Sequence, residues 1–223
     1  MNIDVKELTV RALLERSFEE YADLPAISEV GESPLTYSQV RERAVQTAVM
    51  MLKRGIQKGD RVVILGENSP NWVIAYVAVQ YSGAVAVPIL TGFPESDIRH
   101  ILRHSEASAA FVAEKFMDSV LEMEKSNLHT IYALEDFSEK QIQQSSAKEL
   151  EKHIQSFLKQ KGRQPKENEL LEHYQPEEKE LSAIIYTSGT TGHSKGVMLT
   201  HKNIASDVVN SIKQFPIDHN DRF

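Results

Sequence analysis

The segment YTSGTTGHSKG, residues 186–196, sets five serines and threonines, three glycines and one lysine in eleven positions, directly behind the apolar run LSAII. Gly189 and Gly192 let backbone N–H groups approach a ligand closely, Thr187, Ser188, Thr190 and Thr191 add hydroxyl donors, and Lys195 supplies one compact positive charge. That set suits a phosphate group. A turn between strands also collects glycine, serine and threonine, but it needs neither this many hydroxyls nor a lysine. A lysine on a glycine loop can follow the β and γ groups of a triphosphate as charge redistributes in a transition state. Lys195 is therefore the candidate catalytic residue, and Thr187, Ser188, Gly189, Thr190, Thr191, Gly192 and Lys195 are the candidate phosphate-binding set.

The flanks say what must hold this loop. SAIIYT reads as a buried strand and GVMLT alternates as a second, so the loop joins two strands. The Walker loop instead runs from strand into helix, with lysine directly after its last glycine; here two residues, His193 and Ser194, separate Gly192 from Lys195. The ordinary nucleoside-triphosphatase motif is absent.

Upstream, strands and helices alternate. Thr9 can cap a helix carrying Leu13, Leu14, Phe18 and Tyr21, and PAISEVGESPLTY reads as two short strands about a glycine turn. Thr36 and Gln39 make a capping box for a helix with Val40, Ala44, Ala48 and Leu52 on one face, ending at Gly55. RVVIL is a strand, Asn68 and Ser69 with Pro70 open the next helix, and AVAVPI is a second strand, which makes a βαβ unit. A helix from Pro94, the strand AAFV, a helix from Glu114 to about Lys125 and the strand TIYAL follow. This order predicts an α/β fold, a mostly parallel sheet with helices on both faces. Trp72 and Tyr76 read as core.

Acids exceed bases by seven (32 against 25), the pI is about 5.7 and the mean hydropathy is −0.36, so nothing draws the chain as a whole to nucleic acid or anionic lipid. The absence of cysteine excludes disulfides, thiol nucleophiles and cysteine-ligated zinc. MNIDVKELTV has no apolar core behind a basic start, so it is not a secretory signal, and the expected location is cytoplasmic. WVIAYVAVQYSGAVAVPIL approaches the ~20 residues of a membrane span, but Gln80, Ser82–Gly83, the β-branched run and Pro88 divide it into helix and strand.

Between Glu135 and Glu180 the composition changes to 11 acids and 8 bases with a single glycine, Gly162. Sheet-building is expected to stop there. Ser146 and Glu149 form a capping box for a helix with Leu150, Ile154, Phe157 and Leu158, which Gly162 can end. The expected organisation is 1–135, an N-terminal α/β portion; 136–180, a charged helical insert or linker; and 181–223, the loop hairpin with its following helix, incomplete at the C-terminus. His100 and His104 lie four apart on one helix, a spacing that can ligate metal, but Arg99 and Arg103 flank them and no third ligand is evident. His201 opens the last helix behind a Thr200 cap, and His193 is expected exposed in the loop.

YTSGTTGHSKG followed by VMLTH resembles the phosphate-loop signature of the adenylate-forming (AMP-binding) acyl-CoA synthetases. LTYSQV, KGDRVVILGENSPNW, GAVAVPI and ILRHSEASAAFV are similar to that family in the same order, and the detail is most like long-chain fatty-acid CoA ligases. The resemblance implies the N-terminal part of the large domain of such an enzyme, with ATP, Mg²⁺ and coenzyme A as its cofactor and small-molecule partners together with a fatty acid. It places Thr187, Ser188, Gly189, Thr190, Thr191 and Lys195 on the ATP phosphates and a threonine, Thr190, near Mg²⁺. It implies no nucleic-acid partner, and for the full-length protein it leaves room for peripheral membrane contact. Where the family usually has proline this sequence has Ser194, which removes some stiffness before Lys195. The remaining contacts would lie beyond Phe223, so the chain alone is expected to be inactive. Two other classes stay open at this point: another phosphate-transfer or adenylate-forming enzyme, and a noncatalytic nucleotide-binding module.

Overall fold

The computed structural model describes residues 6–123, 127–141, 171, 174–187, 194–215 and 221. Helix α1 (Val10–Glu20) begins where the Thr9 hydroxyl accepts from the Ala12 N–H at 3.1 Å. Strands β1 (Pro25–Ile27) and β2 (Leu35–Thr36) pair antiparallel around a turn with Gly31 at φ +90°. The Thr36–Gln39 capping box opens α2 (Tyr37–Lys53), which buries Val40, Ala44, Ala48 and Leu52 and ends before Gly55 at φ +84°.

The main sheet is built from β3 (Arg61–Leu65), β4 (Val85–Ile89), β5 (Ala109–Val112), β6 (Thr130–Ala133), β7 (Glu139–Gln141), β8 (Leu181–Thr187) and β9 (Lys195–Thr200), in the order β7-β6-β5-β3-β4-β8-β9. The five inner strands are parallel and the outer pairs β6–β7 and β8–β9 antiparallel. Helices α3 (Pro70–Tyr81), α4 (Glu95–His104) and α5 (Glu114–Leu121) connect successive strands, and α6 (His201–Gln214) follows β9.

Residues of β3 divide between two cores because a strand turns successive side chains to opposite faces. Val62 and Ile64 pack with α1, α2 and α3, whereas Val63 and Leu65 pack with Ile98, Ile101 and Leu102 of α4 and Met117 and Val120 of α5. Helices therefore cover both faces, as the alternation of elements predicts. The long uncharged stretch divides at Ser82–Gly83, with Gly83 at φ +71°, into α3 and β4. Among the described residues no helix is long and apolar enough to cross a membrane.

Two elements differ from expectation. The sheet continues past Glu135: Phe137, at φ +58°, turns the chain so that β7 returns along β6. Its sequence, EKQ, carries no apolar alternation, because an edge strand need not bury a face. α5 stops at Leu121, and residues 124–126 lie outside the described set. The helix expected from Ser146 to Gly162 also lies outside it.

Candidate active site

Strand β8 is pinned before it reaches the loop. Gln80 and Ser182, both fully buried, exchange two hydrogen bonds: the Ser182 hydroxyl donates to Gln80 Oε1 at 2.8 Å, and Gln80 Nε2 donates to the Ser182 carbonyl at 3.2 Å. Two buried polar groups that satisfy each other fix α3 against β8 with little desolvation cost. Because β8 runs parallel to β4, its end at Thr187 lies at the edge of the sheet where β3, β4, β5 and β6 also end. Open α/β sheets bind ligands at this carboxyl edge.

Thr187 and Lys195 are the last Cα pair of the β8–β9 ladder, and both side chains are exposed. Their bases are held from below. Tyr186, 3% exposed, lies opposite Gly196, where a Cβ would come within 2.9 Å of Ile184 Cγ2 and 3.1 Å of Tyr186 Cζ. Glycine thus makes room for the tyrosine ring. The phenol meets His104 Nδ1 at 2.7 Å, and the two rings pack edge to face at 5.8 Å. Burial raises the Tyr186 pKa, so the phenol stays protonated and can donate to the imidazole.

Of the expected site residues, then, Thr187 and Lys195 come together at the carboxyl edge. Ser188, Gly189, Thr190, Thr191 and Gly192, with His193, lie outside the described residues. His104 is taken up by Tyr186, with the His100 ring 5.3 Å away, and no group of three or more potential metal ligands occurs among the described residues. Asn68 and Ser69 were both expected at a helix start; Ser69 is the cap, accepting from Trp72 N–H at 3.1 Å. Trp72 and Tyr76 stack on each other at 5.7 Å, partly buried against the core.

The far end of the hairpin is equally constrained. Thr200 and Asn203 form a capping box for α6. His201 is 1% exposed, and its Nδ1 accepts from the Val10 N–H at 3.4 Å. Burial lowers its pKa to about 4 against the opposing charge of Glu180. Buried Arg11 donates to the carbonyls of Leu171 at 3.0 Å and Tyr81 at 3.4 Å, and Lys58 pairs with Glu180 at 2.8 Å. The Val10 and Arg11 contacts tie α1 to α6, α3 and Leu171, and Lys58 ties the turn before β3 to Glu180, just ahead of β8.

Sequence reasoning missed a cavity of about 530 Å³ at the same edge, lined by Glu67, Ser69, Asn71, Lys115 and Glu135 together with apolar residues such as Leu134. Lys115 meets Glu67 at 2.5 Å and Thr91 donates to it at 3.0 Å, which holds its carboxyl below the usual range. The available signal was positional: Glu67 and Glu135 stand just after strands.

A family model for AMP-binding enzymes matches residues 14–223. The chain belongs to the AMP-binding enzyme family. Among its relatives, fatty acyl-CoA synthetase A of Dictyostelium discoideum is 28% identical over 78% of this chain and 26% of its own length. The 4-hydroxybutyrate–CoA ligase 2 of Metallosphaera sedula is 27% identical over 96% of this chain and 38% of its own. The fold is that of the solved putative long-chain-fatty-acid CoA ligase from Rhodopseudomonas palustris, with a TM-score of 0.71 at 17% identity, covering 97% of this chain and 50% of that one. The chain thus spans about a quarter to two fifths of the length of these curated relatives.

Proposed function

We propose that the chain is the N-terminal part of an ATP-dependent acid–thiol ligase that activates a fatty acid as acyl-adenylate and transfers the acyl group to coenzyme A. The observation that carries this is the pairing of Thr187 and Lys195, exposed and adjacent at the carboxyl edge of the parallel sheet, inside a family that binds AMP. Fatty acid as the carboxylate rests on the names of relatives such as the Dictyostelium synthetase.

A carboxylate oxygen attacks the α-phosphorus of ATP, and the bond to the bridging oxygen breaks, with pyrophosphate leaving. The thiolate of coenzyme A then displaces AMP from the acyl carbon. Lys195 neutralises charge that builds on the leaving pyrophosphate, and Thr187 donates to a phosphate oxygen at the root of the loop. Ser188, Gly189, Thr190, Thr191 and Gly192 are proposed to complete the phosphate cradle with backbone and hydroxyl donors. Mg²⁺ would be held with ATP by the Thr190 hydroxyl and would offset phosphate charge. The fixed hairpin base supplies positioning, which can be worth ~7 kcal/mol or more of barrier when reactants are held in line.

The test is acid-dependent exchange of labelled pyrophosphate into ATP by the longer protein, with acetate, 4-hydroxybutyrate, octanoate and palmitate as acids. Exchange that rises toward palmitate is expected, with none from the 223-residue chain alone. Exchange only with the short acids would overturn the fatty-acid assignment, and nucleotide binding without exchange under any acid would favour a noncatalytic module.

A further inference from the structure

Ser194 stands one residue before β9, immediately before Lys195, and is 6% exposed. Its Oγ is buried without a hydrogen-bond partner. Two other hydroxyls among the described residues share that condition, but they lie within the core beside polar groups: Tyr81 near Glu15 and Arg41, and Tyr132 near Thr130. A hydroxyl that gives up water and gains no partner weakens the fold, and alanine would fill nearly the same space without that penalty. The unsatisfied donor sits at the root of the loop, beside the one cation assigned to the phosphates.

We propose that the Ser194 hydroxyl is a further ligand-binding donor, which pairs with a phosphoryl oxygen of pyrophosphate or of the ATP polyphosphate held by Thr187 and Lys195. The proposal rests on the phosphate-binding role given above to the hairpin. Lysine offers charge on a flexible stem with no fixed direction, whereas a hydroxyl on a short side chain has one torsion and a defined reach. Turning about χ1 moves the oxygen between staggered positions without moving the backbone that carries Lys195. A proline at this position would stiffen the backbone but could donate nothing, whereas serine keeps a donor there.

A binding donor and a structural hydroxyl predict opposite effects for Ser194→Ala. The 223-residue chain is titrated calorimetrically with magnesium pyrophosphate and melted without it, as wild type, Ser194→Ala, Ser194→Thr and Lys195→Ala. Expected for Ser194→Ala are an unchanged or higher Tm and a pyrophosphate affinity about fivefold to tenfold weaker. Ser194→Thr, which keeps the hydroxyl, should bind within about twofold of wild type. A Ser194→Ala protein that melts several degrees lower would assign the hydroxyl to the fold and overturn the proposal. Unchanged affinity in Ser194→Ala beside a large loss in Lys195→Ala would overturn the role of Ser194 while leaving the phosphate site standing. Pyrophosphate that fails to bind the wild type would overturn both.

Discussion

His201 is held as a neutral ring: its Nδ1 faces the Val10 N–H, and a proton there would set donor against donor in a place that water does not reach. Its folded pKa of about 4 lies below the ordinary 6.5, so the unfolded chain binds the proton more readily between those values. Stability from this group is fully present above about pH 6.5 and falls as pH drops toward 4, by on the order of 3 kcal/mol in all. Glu178 and Glu180, whose pKa values are lowered by Leu8 N–H, Lys202 and Lys58, contribute stability that falls as pH drops through the ordinary carboxylate value of 4.5 toward their lowered values, below most of the histidine window. The upper window therefore reports on the histidine. Urea unfolding from pH 7 to 4 should show a decline that flattens in His201→Gln, which keeps an acceptor for Val10; an equal decline in both proteins would remove His201 from this role. The cap at Thr200 was readable in the sequence, but the burial of the next residue was not. It depends on α1, 191 residues away along the chain.

Gly196 shows how one element sets another. It lies in β9, yet the space it leaves is filled by Tyr186 and Ile184 of β8, and Tyr186 in turn reaches His104 of α4. A Cβ in Gly196→Ala meets a ring that cannot give way at its tip without disturbing the 2.7 Å contact to the histidine. The expected cost is ~1–3 kcal/mol of stability, measured by urea unfolding, together with slower pyrophosphate exchange in the longer protein because Thr187 and Lys195 form the adjacent rung of the ladder. Wild-type stability and exchange would show that the hairpin base does not depend on this packing. Strands and helices here were legible where one helix face is apolar, as in α2, where a short run is apolar throughout, as in β3 and β4, or where Ser69–Pro70 and Ser82–Gly83 punctuate the chain. β7 was not, since a three-residue polar edge leaves no periodicity. The His104–Tyr186 pairing was hidden for another reason: both residues have an ordinary explanation nearby, histidine beside His100 and tyrosine in a strand, and only the sheet order brings them together.

At the scale of the molecule, strand order decides where the chemistry can stand. The chain leaves central β3 first toward β4 and later toward β5, with α3 on one face and α4 and α5 on the other, and β8 enters beside β4 with its end at the shared carboxyl edge. Alternating strands and helices predicted such a sheet, and the glycine-rich segment predicted a phosphate loop, but the sequence could not place β8 next to β4: that pairing closes a connection of 91 residues, from Ile89 to Leu181, through the charged stretch. What the placement requires of Lys195 is specific. It should act on charge that moves to the leaving pyrophosphate, more than on the binding of the acid. Acid-dependent pyrophosphate–ATP exchange by the longer protein, wild type against Lys195→Ala, with fatty-acid binding measured separately, addresses this directly. A fall in exchange of ~10²-fold or more with acid affinity nearly unchanged is the predicted result; an exchange rate equal to wild type would contradict the assignment of this hairpin as the phosphate-handling part of the active site.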